Sequence, residues 1–229
     1  MPDSRLTELQ RRVLSALAGM EPAWTLTGGG AVVGFHAPYR ATRDLDLFWR
    51  GRSTIEAIAR DAEERLIARG FRVQSVRRSE SFARLSVQEA SSEEACVLDL
   101  VAESHAAINP PLSRSVEGFG IRVDSAPELA VNKLVALLSR YELRDLADLR
   151  ELLACGADLQ VALGQAPAKD GGFSPATLAW VLRSYPFERY RKEELLPPEA
   201  VEGLEAFRAQ LIETLVSMSD PGDRVHERP

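Results

Sequence analysis

Apolar residues follow two rhythms along the chain. In residues 4–17, Leu6, Leu9, Val13, Leu14 and Leu17 recur at helical spacing and define one apolar face. Residues 24–26 are short and apolar, with Thr25 and Thr27 interleaved, and read as a buried strand. Gly28, Gly29 and Gly30 follow directly, then an apolar stretch that Pro38 should end. This predicts a tight strand-to-helix turn and a short helix. In residues 43–49, Asp44, Asp46 and Phe48 alternate with Leu45, Leu47 and Trp49, which is the period of a strand. Ser53 and Glu56 have capping-box spacing for a helix stopped at Gly70. Residues 71–76, 82–87, 95–101 and 120–123 predict further strands.

From residue 125 the rhythm becomes helical. Ser125 and Glu128 again have capping-box spacing, with Pro127 in the first turn. Leu129, Leu134, Leu137 and Leu138 carry that helix to about Tyr141. A second helix, 144–153, should stop near Gly156, and 159–163, 175–183 and 198–218 predict three more. The expected fold class is α+β. A mixed-sheet core spans 1–124, a helical domain spans 125–218 and completes the active site, and 219–229 form a flexible tail.

Composition narrows the functional classes. Charged residues make up 27% of the 229 and hydrophobic ones 45%, so the chain as a whole should fold. No apolar run reaches the ~18–20 residues of a membrane span. The first residues lack the pattern of a secretory signal. A cytoplasmic location without membrane contact is expected. The net charge of −6 excludes a broadly basic nucleic-acid coat, although not a local basic groove. Two cysteines and three scattered histidines predict buried thiols and ordinary imidazoles, without a disulfide framework or zinc site. Only three of the 28 basic residues are lysines (Lys133, Lys169 and Lys192), which draws attention to each.

The candidate chemistry begins with Asp44 and Asp46. At i and i+2 of a strand they project from one face, ~7 Å apart at the backbone, and can converge on one cation. Mg²⁺, a hard ion that commonly takes one or two carboxylates plus substrate phosphates, suits such a pair. A solvated edge strand is the alternative. The glycine turn at 28–30, one short helix upstream, exposes backbone N–H groups to a phosphate. Asp99 sits in the apolar run VLDLV. It is either a third metal-side carboxylate able to deprotonate an attacking hydroxyl, or a strand-edge aspartate paired with an arginine such as Arg84. Lys133 is either a point charge on a phosphate or a snorkelling surface lysine. Arg144 and Asp145 either orient a nucleotide or link two helices by ion pairs, and Asp148 reads as structural. Arg183, Tyr185, Phe187, Arg189, Tyr190, Arg191 and Lys192 mix basic and aromatic groups. Such mixtures can grip single strands, but a charged loop with aromatics in the core is the preferred reading.

TGGGA (27–31), RATRDLDLF (40–48), LDL (98–100) and K…R…RDLADL (133–149) together resemble the AbiEii/AbiGii type of nucleotidyltransferase. This family of bacterial toxin–antitoxin and phage-abortive toxins has MenT-type relatives. The resemblance covers residues 27–149 and implies a polymerase-β-like nucleotidyltransferase core. It matches Gly28 and Gly29 to phosphate-binding glycines, with Gly30 where the family often carries Ser or Thr. Asp44 and Asp46 match the metal pair, Asp99 the third carboxylate, and Arg40 and Thr42 the flank of the aspartate motif. Lys133 and Asp145 match the C-terminal charged motif, with Asp148 in its second aspartate slot. The implied activity is Mg²⁺- (or Mn²⁺-) dependent transfer of a nucleoside monophosphate from an NTP to an acceptor hydroxyl, with release of pyrophosphate. The implied partners are an RNA end, transfer RNA foremost, and a cognate antitoxin. Two other readings use the same core: transfer to a small cationic molecule or a protein side chain, and a non-catalytic nucleotide- or partner-binding module.

Overall fold

A computed structural model describes residues 4–140, 142–184, 187, 196 and 198–219. The chain forms two compact units, Met1–Leu129 and Ala130–Pro229. The first opens with helix α1 (Glu8–Leu17), whose start is set by a reciprocal capping box between Thr7 and Gln10. Strand β1 (Thr25–Thr27) leads into α2 (Gly28–Ala31), which continues as a π-helical segment, Val32–His36. Then come β2 (Asp44–Arg50), α3 (Glu56–Ala68), β3 (Phe71–Arg78), β4 (Phe82–Glu89), β5 (Ala95–Glu103), β6 (Leu112–Val116) and β7 (Phe119–Val123). Seven strands form one mixed sheet in the order β3-β4-β5-β2-β1-β7-β6. The α+β expectation holds.

The period-2 alternation decides what each sheet face does. Leu45, Leu47, Leu85, Leu98 and Leu100 are all fully buried on one side, where α1 and α3 pack. The other side carries half-buried Asp44, Asp46 and Phe48 in β2 and half-buried Phe82 and Arg84 in β4. β1, with all three residues buried, lies between β2 and β7.

Helix α4 (Ala126–Ser139) leads into the second unit, which is helical. It contains α5 (Leu143–Ala154), α6 (Leu159–Lys169), α7 (Pro175–Arg183), a turn of helix at Pro198–Val201 and a last helix, Leu204–Ser219. The last helix packs on α7 and α5. α6 runs six residues past its expected end because it tolerates Pro167 inside it. The single helix expected over 198–218 is two, parted at Gly203, whose φ of +70° suits glycine.

Other expectations fail for identifiable reasons. β6 carries no apolar alternation, since only Val116 of its five residues is buried, and the sequence reading passes over it. Neither downstream capping box forms. The N-cap of α3 is Ile55, without a side-chain cap bond. Ser125 Oγ is buried without a partner, while Glu128 accepts hydrogen bonds from the N–H groups of Ile108 (3.1 Å) and Asn109 (2.8 Å). Cys96 is buried, and that burial pushes its thiol up to about 12; Cys155 is exposed, contrary to expectation. Of the basic–aromatic stretch, Tyr185, Arg189, Tyr190, Arg191 and Lys192 lie outside the described residues, as does the tail from 220. Phe187 is buried, with the Arg208 guanidinium 5.2 Å from its ring centroid. No helix among the described residues is long and apolar enough to cross a membrane.

Candidate active site

Strand register assembles the first constellation. β1 antiparallel to β2 sets Thr27 opposite Asp46, and β2 parallel to β5 sets Asp46 beside Asp99. The glycine turn then lies against β2. Gly28 has φ +60°, and a Cβ there would fall inside the Asp46 carboxylate, 2.8 Å from its Cγ. A Cβ on Gly29 would meet Arg40 Nη2 at 2.8 Å and Thr42 Oγ1 at 3.2 Å. A Cβ on Gly30 would crowd Leu45 Cδ2 at 3.1 Å. The three glycines thus let backbone approach, in turn, a carboxylate, a guanidinium with a hydroxyl, and the core. Gly28, Gly29, Arg40, Thr42 and Asp46 are brought together, with Asp44 two residues along the same strand face.

Arg40 is buried. Its Nε donates to Tyr39 Oη (3.1 Å) and its Nη1 to Ala41 O (2.9 Å). The loop before Asp44 has an anchor that sequence reasoning missed. Gln10, buried on α1, donates from Nε2 to Thr42 O (2.9 Å) while its Oε1 accepts from Thr7 N (2.9 Å). A buried glutamine in an amphipathic helix was the available signal. Gln10→Leu is expected to lower stability by about 1–3 kcal/mol, because the Thr42 carbonyl and the Thr7 N–H lose their partner. Urea unfolding measures it, and an unchanged midpoint would remove this role.

Asp99 follows the pairing alternative. Arg84, its direct cross-strand neighbour, donates from Nε to Oδ1 (2.7 Å) and from Nη2 to Oδ2 (2.6 Å). The Arg84 pKa is raised, chiefly by this bidentate bond, with Asp44 and Asp46 adding to it. Arg84 therefore sits in the field of all three carboxylates. Among the described residues no group of three or more acidic, histidine or cysteine side chains is gathered as a ready metal cage. The donor set that fits a hard cation is the Asp44/Asp46 pair, with the Asp46 carboxylate held over Gly28.

Two buried contacts brace the edge of this site within the first unit. Arg50, at the end of β2, donates to both Asp124 oxygens (2.7 and 2.8 Å). His36 Nε2 lies 2.8 Å from Asp124 O. Burial lowers the His36 pKa against the opposing pull of that hydrogen bond, so at neutral pH the ring is uncharged and Nε2 is the donor.

The second unit holds its own cluster. Lys133 Nζ on α4 contacts Asp145 Oδ1 (2.7 Å) and Asp148 Oδ2 (2.6 Å) on α5, and both aspartates are fully buried. Arg140 Nε adds a bond to Asp145 Oδ2 (2.8 Å). Lys133 is 5% exposed, so it does not snorkel to the surface. Two of its three donors serve carboxylates. Arg144 pairs with Glu142 (2.7 Å). Burial alone would raise the Asp145 pKa, but Lys133 and Arg140 outweigh it and hold the carboxyl below its ordinary value.

Comparisons with known proteins bear on the fold and the family. A comparison with curated proteins finds no match. Among solved structures, MenT4, a nucleotidyltransferase toxin of Mycobacterium tuberculosis, aligns with a TM-score of 0.55 at 16% identity, over 91% of this chain and 90% of that one. JHP933 from Helicobacter pylori aligns at 0.50 and 19%, over 96% of each. At such identities the likeness is one of fold, the polymerase-β-like nucleotidyltransferase fold. A family model described as nucleotidyl transferase AbiEii toxin, of a type IV toxin–antitoxin system, matches residues 12–216. With the match running through nearly the whole chain, and through the glycine turn and aspartate pair that the fold brings together, this protein belongs to the AbiEii family of nucleotidyltransferase toxins.

Proposed function

We propose that the protein transfers a nucleoside monophosphate from an NTP to a hydroxyl at an RNA end, with transfer RNA as the leading acceptor. It would act as the toxin of a pair completed by a cognate antitoxin. The observation that carries this reading is the Asp46 carboxylate lying over Gly28, at the point where β1 turns into α2, with Asp44 on the same strand face. Asp44 and Asp46 would hold Mg²⁺ or Mn²⁺, which supplies Lewis-acid stabilisation of phosphate charge when bound.

The remaining steps belong to the chain. Backbone N–H groups at Gly28, Gly29 and Gly30 bind phosphate oxygens, and Arg40, held against Gly29, adds a fixed positive charge nearby. The acceptor oxygen attacks the α-phosphorus, the bond to the bridging oxygen of the β-phosphate breaks, and pyrophosphate leaves. Asp99 accepts the acceptor's proton only when it is released from Arg84. Arg84 is then free to turn toward the negative charge that accumulates on the phosphates. In the second unit, any contact of Lys133 with a phosphate would fall to its third N–H. Its other two bonds hold α4 to α5.

The test incubates the purified protein with Mg²⁺, each labelled NTP in turn and total cellular RNA, with Asp46→Ala as the background. Label on RNA with the wild type alone is the expected result and identifies the base. Absence of label from RNA with every NTP, while NTP binding persists, would overturn the RNA assignment and direct the search to small-molecule and protein acceptors.

A further inference from the structure

One register line crosses five strands of the sheet. Thr27 of β1 stands opposite Asp46 of β2, Asp46 beside Asp99 of β5, Asp99 opposite Arg84 of β4, and Arg84 opposite Arg77 of β3. Charge changes sign along it, from the carboxylates in the middle of the sheet to Arg84 on the next strand and Arg77 on the edge strand. Arg77 reaches this line through an irregularity. The β3–β4 register shifts between Ser75 and Arg77, so that Arg77 and not Val76 faces Arg84. A bulge of this kind re-aims side chains. Arg78, the next residue, faces the helical layer and pairs with Glu63 of α3.

Two arginines directly opposite one another on a sheet repel. Asp99 neutralises Arg84, but Arg77 is exposed and makes no ion pair among the described residues. Between them stands Phe82, half-buried, with the Arg77 and Arg84 guanidinium carbons 5.9 and 5.8 Å from its ring centroid. Guarding an edge strand against aggregation needs only charge. It does not call for an aromatic flanked by two guanidiniums on the face that carries Asp46 and Asp99.

We propose that Arg77 and Phe82, with Arg84, form a docking strip for a single-stranded stretch of polynucleotide, the acceptor segment that leads to the reacting hydroxyl. This inference rests on the transferase reading above. Phosphodiesters complement the unmatched arginine, and a base can share the face of Phe82. Arg77 lies three strand spacings from Asp46, about 14 Å, a span of roughly four stacked nucleotides at ~3.4 Å each. The strip also explains how a chain of net charge −6 would hold an anionic acceptor: the positive charge is local and lies in register with the site.

The experiment measures binding apart from chemistry. Fluorescence anisotropy follows a 5′-fluorescein 12-nucleotide single-stranded RNA, without NTP, from 50 to 200 mM salt. Arg77→Glu is expected to weaken binding about tenfold or more and to flatten the salt dependence by about one contact. Phe82→Leu should weaken it about fivefold or more with the salt slope unchanged. Arg60→Glu, the same charge change on exposed α3, should bind like wild type. Wild-type binding by both Arg77→Glu and Phe82→Leu, or an equal loss in Arg60→Glu, would overturn the proposal. Displacement of the RNA by poly-L-glutamate as readily as by unlabelled RNA would overturn it in favour of an acidic protein partner. Because no NTP is present, loss of RNA binding in Arg77→Glu upholds the strip even if no transfer is ever seen. Transfer to RNA with binding unaltered in both variants upholds the enzyme and removes the strip.

Discussion

Replacing Gly28 with alanine is expected to cut nucleotidyl transfer by about 100-fold or more while lowering stability by only about 1–2 kcal/mol. The two effects have different origins. Gly28 has φ +60°, and any L-residue there incurs the left-handed backbone penalty. Its added Cβ would also occupy the place of the Asp46 carboxylate, 2.8 Å from Cγ and 3.3 Å from the aspartate's own Cβ. That carboxylate is the mobile end of a side chain, so it rotates away at little structural cost. The Asp44/Asp46 pair proposed to hold the cation then loses its geometry, and a misplacement of about 1 Å is enough for a loss of this size. Gly51→Ala is the matching control. Gly51 has φ +74° but nothing within 4 Å of a would-be Cβ, so it should show a similar loss of stability with transfer intact. Steady-state transfer rates and urea unfolding of both variants decide the matter. Wild-type transfer by Gly28→Ala would mean that Asp46 does not work from the position seen here.

The second large effect concerns the buried charges of the helical unit. Lys133→Met should destabilise the protein by about 3–5 kcal/mol at pH 7, because two fully buried carboxylates, Asp145 and Asp148, lose the ammonium they share. Arg140 still serves Asp145 in the variant. The pH dependence follows from the shifts. The Asp145 pKa is depressed in the fold, so its pairing stabilises the protein above the ordinary carboxylate range, near pH 4, and that contribution fades as pH falls through the lower folded value. Burial opposes the Lys133 charge, but Asp148 and Asp145 prevail and raise its pKa. Its contribution is therefore complete below about pH 10 and is lost as pH rises through the folded value. In the variant Asp145 has lost one of the two cations that hold its carboxyl down against burial, so it takes up a proton more readily and the difference from wild type should shrink between pH 7 and pH 5. Guanidinium unfolding at the two pH values tests this. A loss below about 1 kcal/mol at pH 7 would show that the pair is solvated and behaves like a surface bridge.

Much of the site was legible in the residues because it is written in local periods. Alternation in residues 43–49 puts Asp44 and Asp46 on one face whatever the strand pairs with. Three glycines between a strand and a helix mark a close backbone approach. The two aspartates of RDLADL lie at helical spacing, and with Lys133 they form a motif that points to the family that the comparison over residues 12–216 shows. Pro175 and Ser174 start α7 where sequence reasoning places it, since the cap is local.

Other features depended on partners far away in sequence. Nothing near Asp99 says that Arg84 will hold both of its oxygens; that needs β4 and β5 to pair in one register. Glu128 has the spacing of a capping residue, yet its carboxylate goes to the backbone of Ile108 and Asn109, which its own helix could not have specified. Gln10 has no visible task until α1 lies against the loop at Thr42. Arg77 faces the site only because a bulge interrupts the β3 period. By itself the sequence determined most of the elements, the facing of Asp44 and Asp46, and the kind of chemistry those residues suit, because each depends on neighbours within a turn or a strand. Only the tertiary structure decided which carboxylate is already paired, which glycine leaves room for Asp46, and where unmatched positive charge meets the site, because cross-strand register and buried charge pairing are set by contacts that no local period encodes.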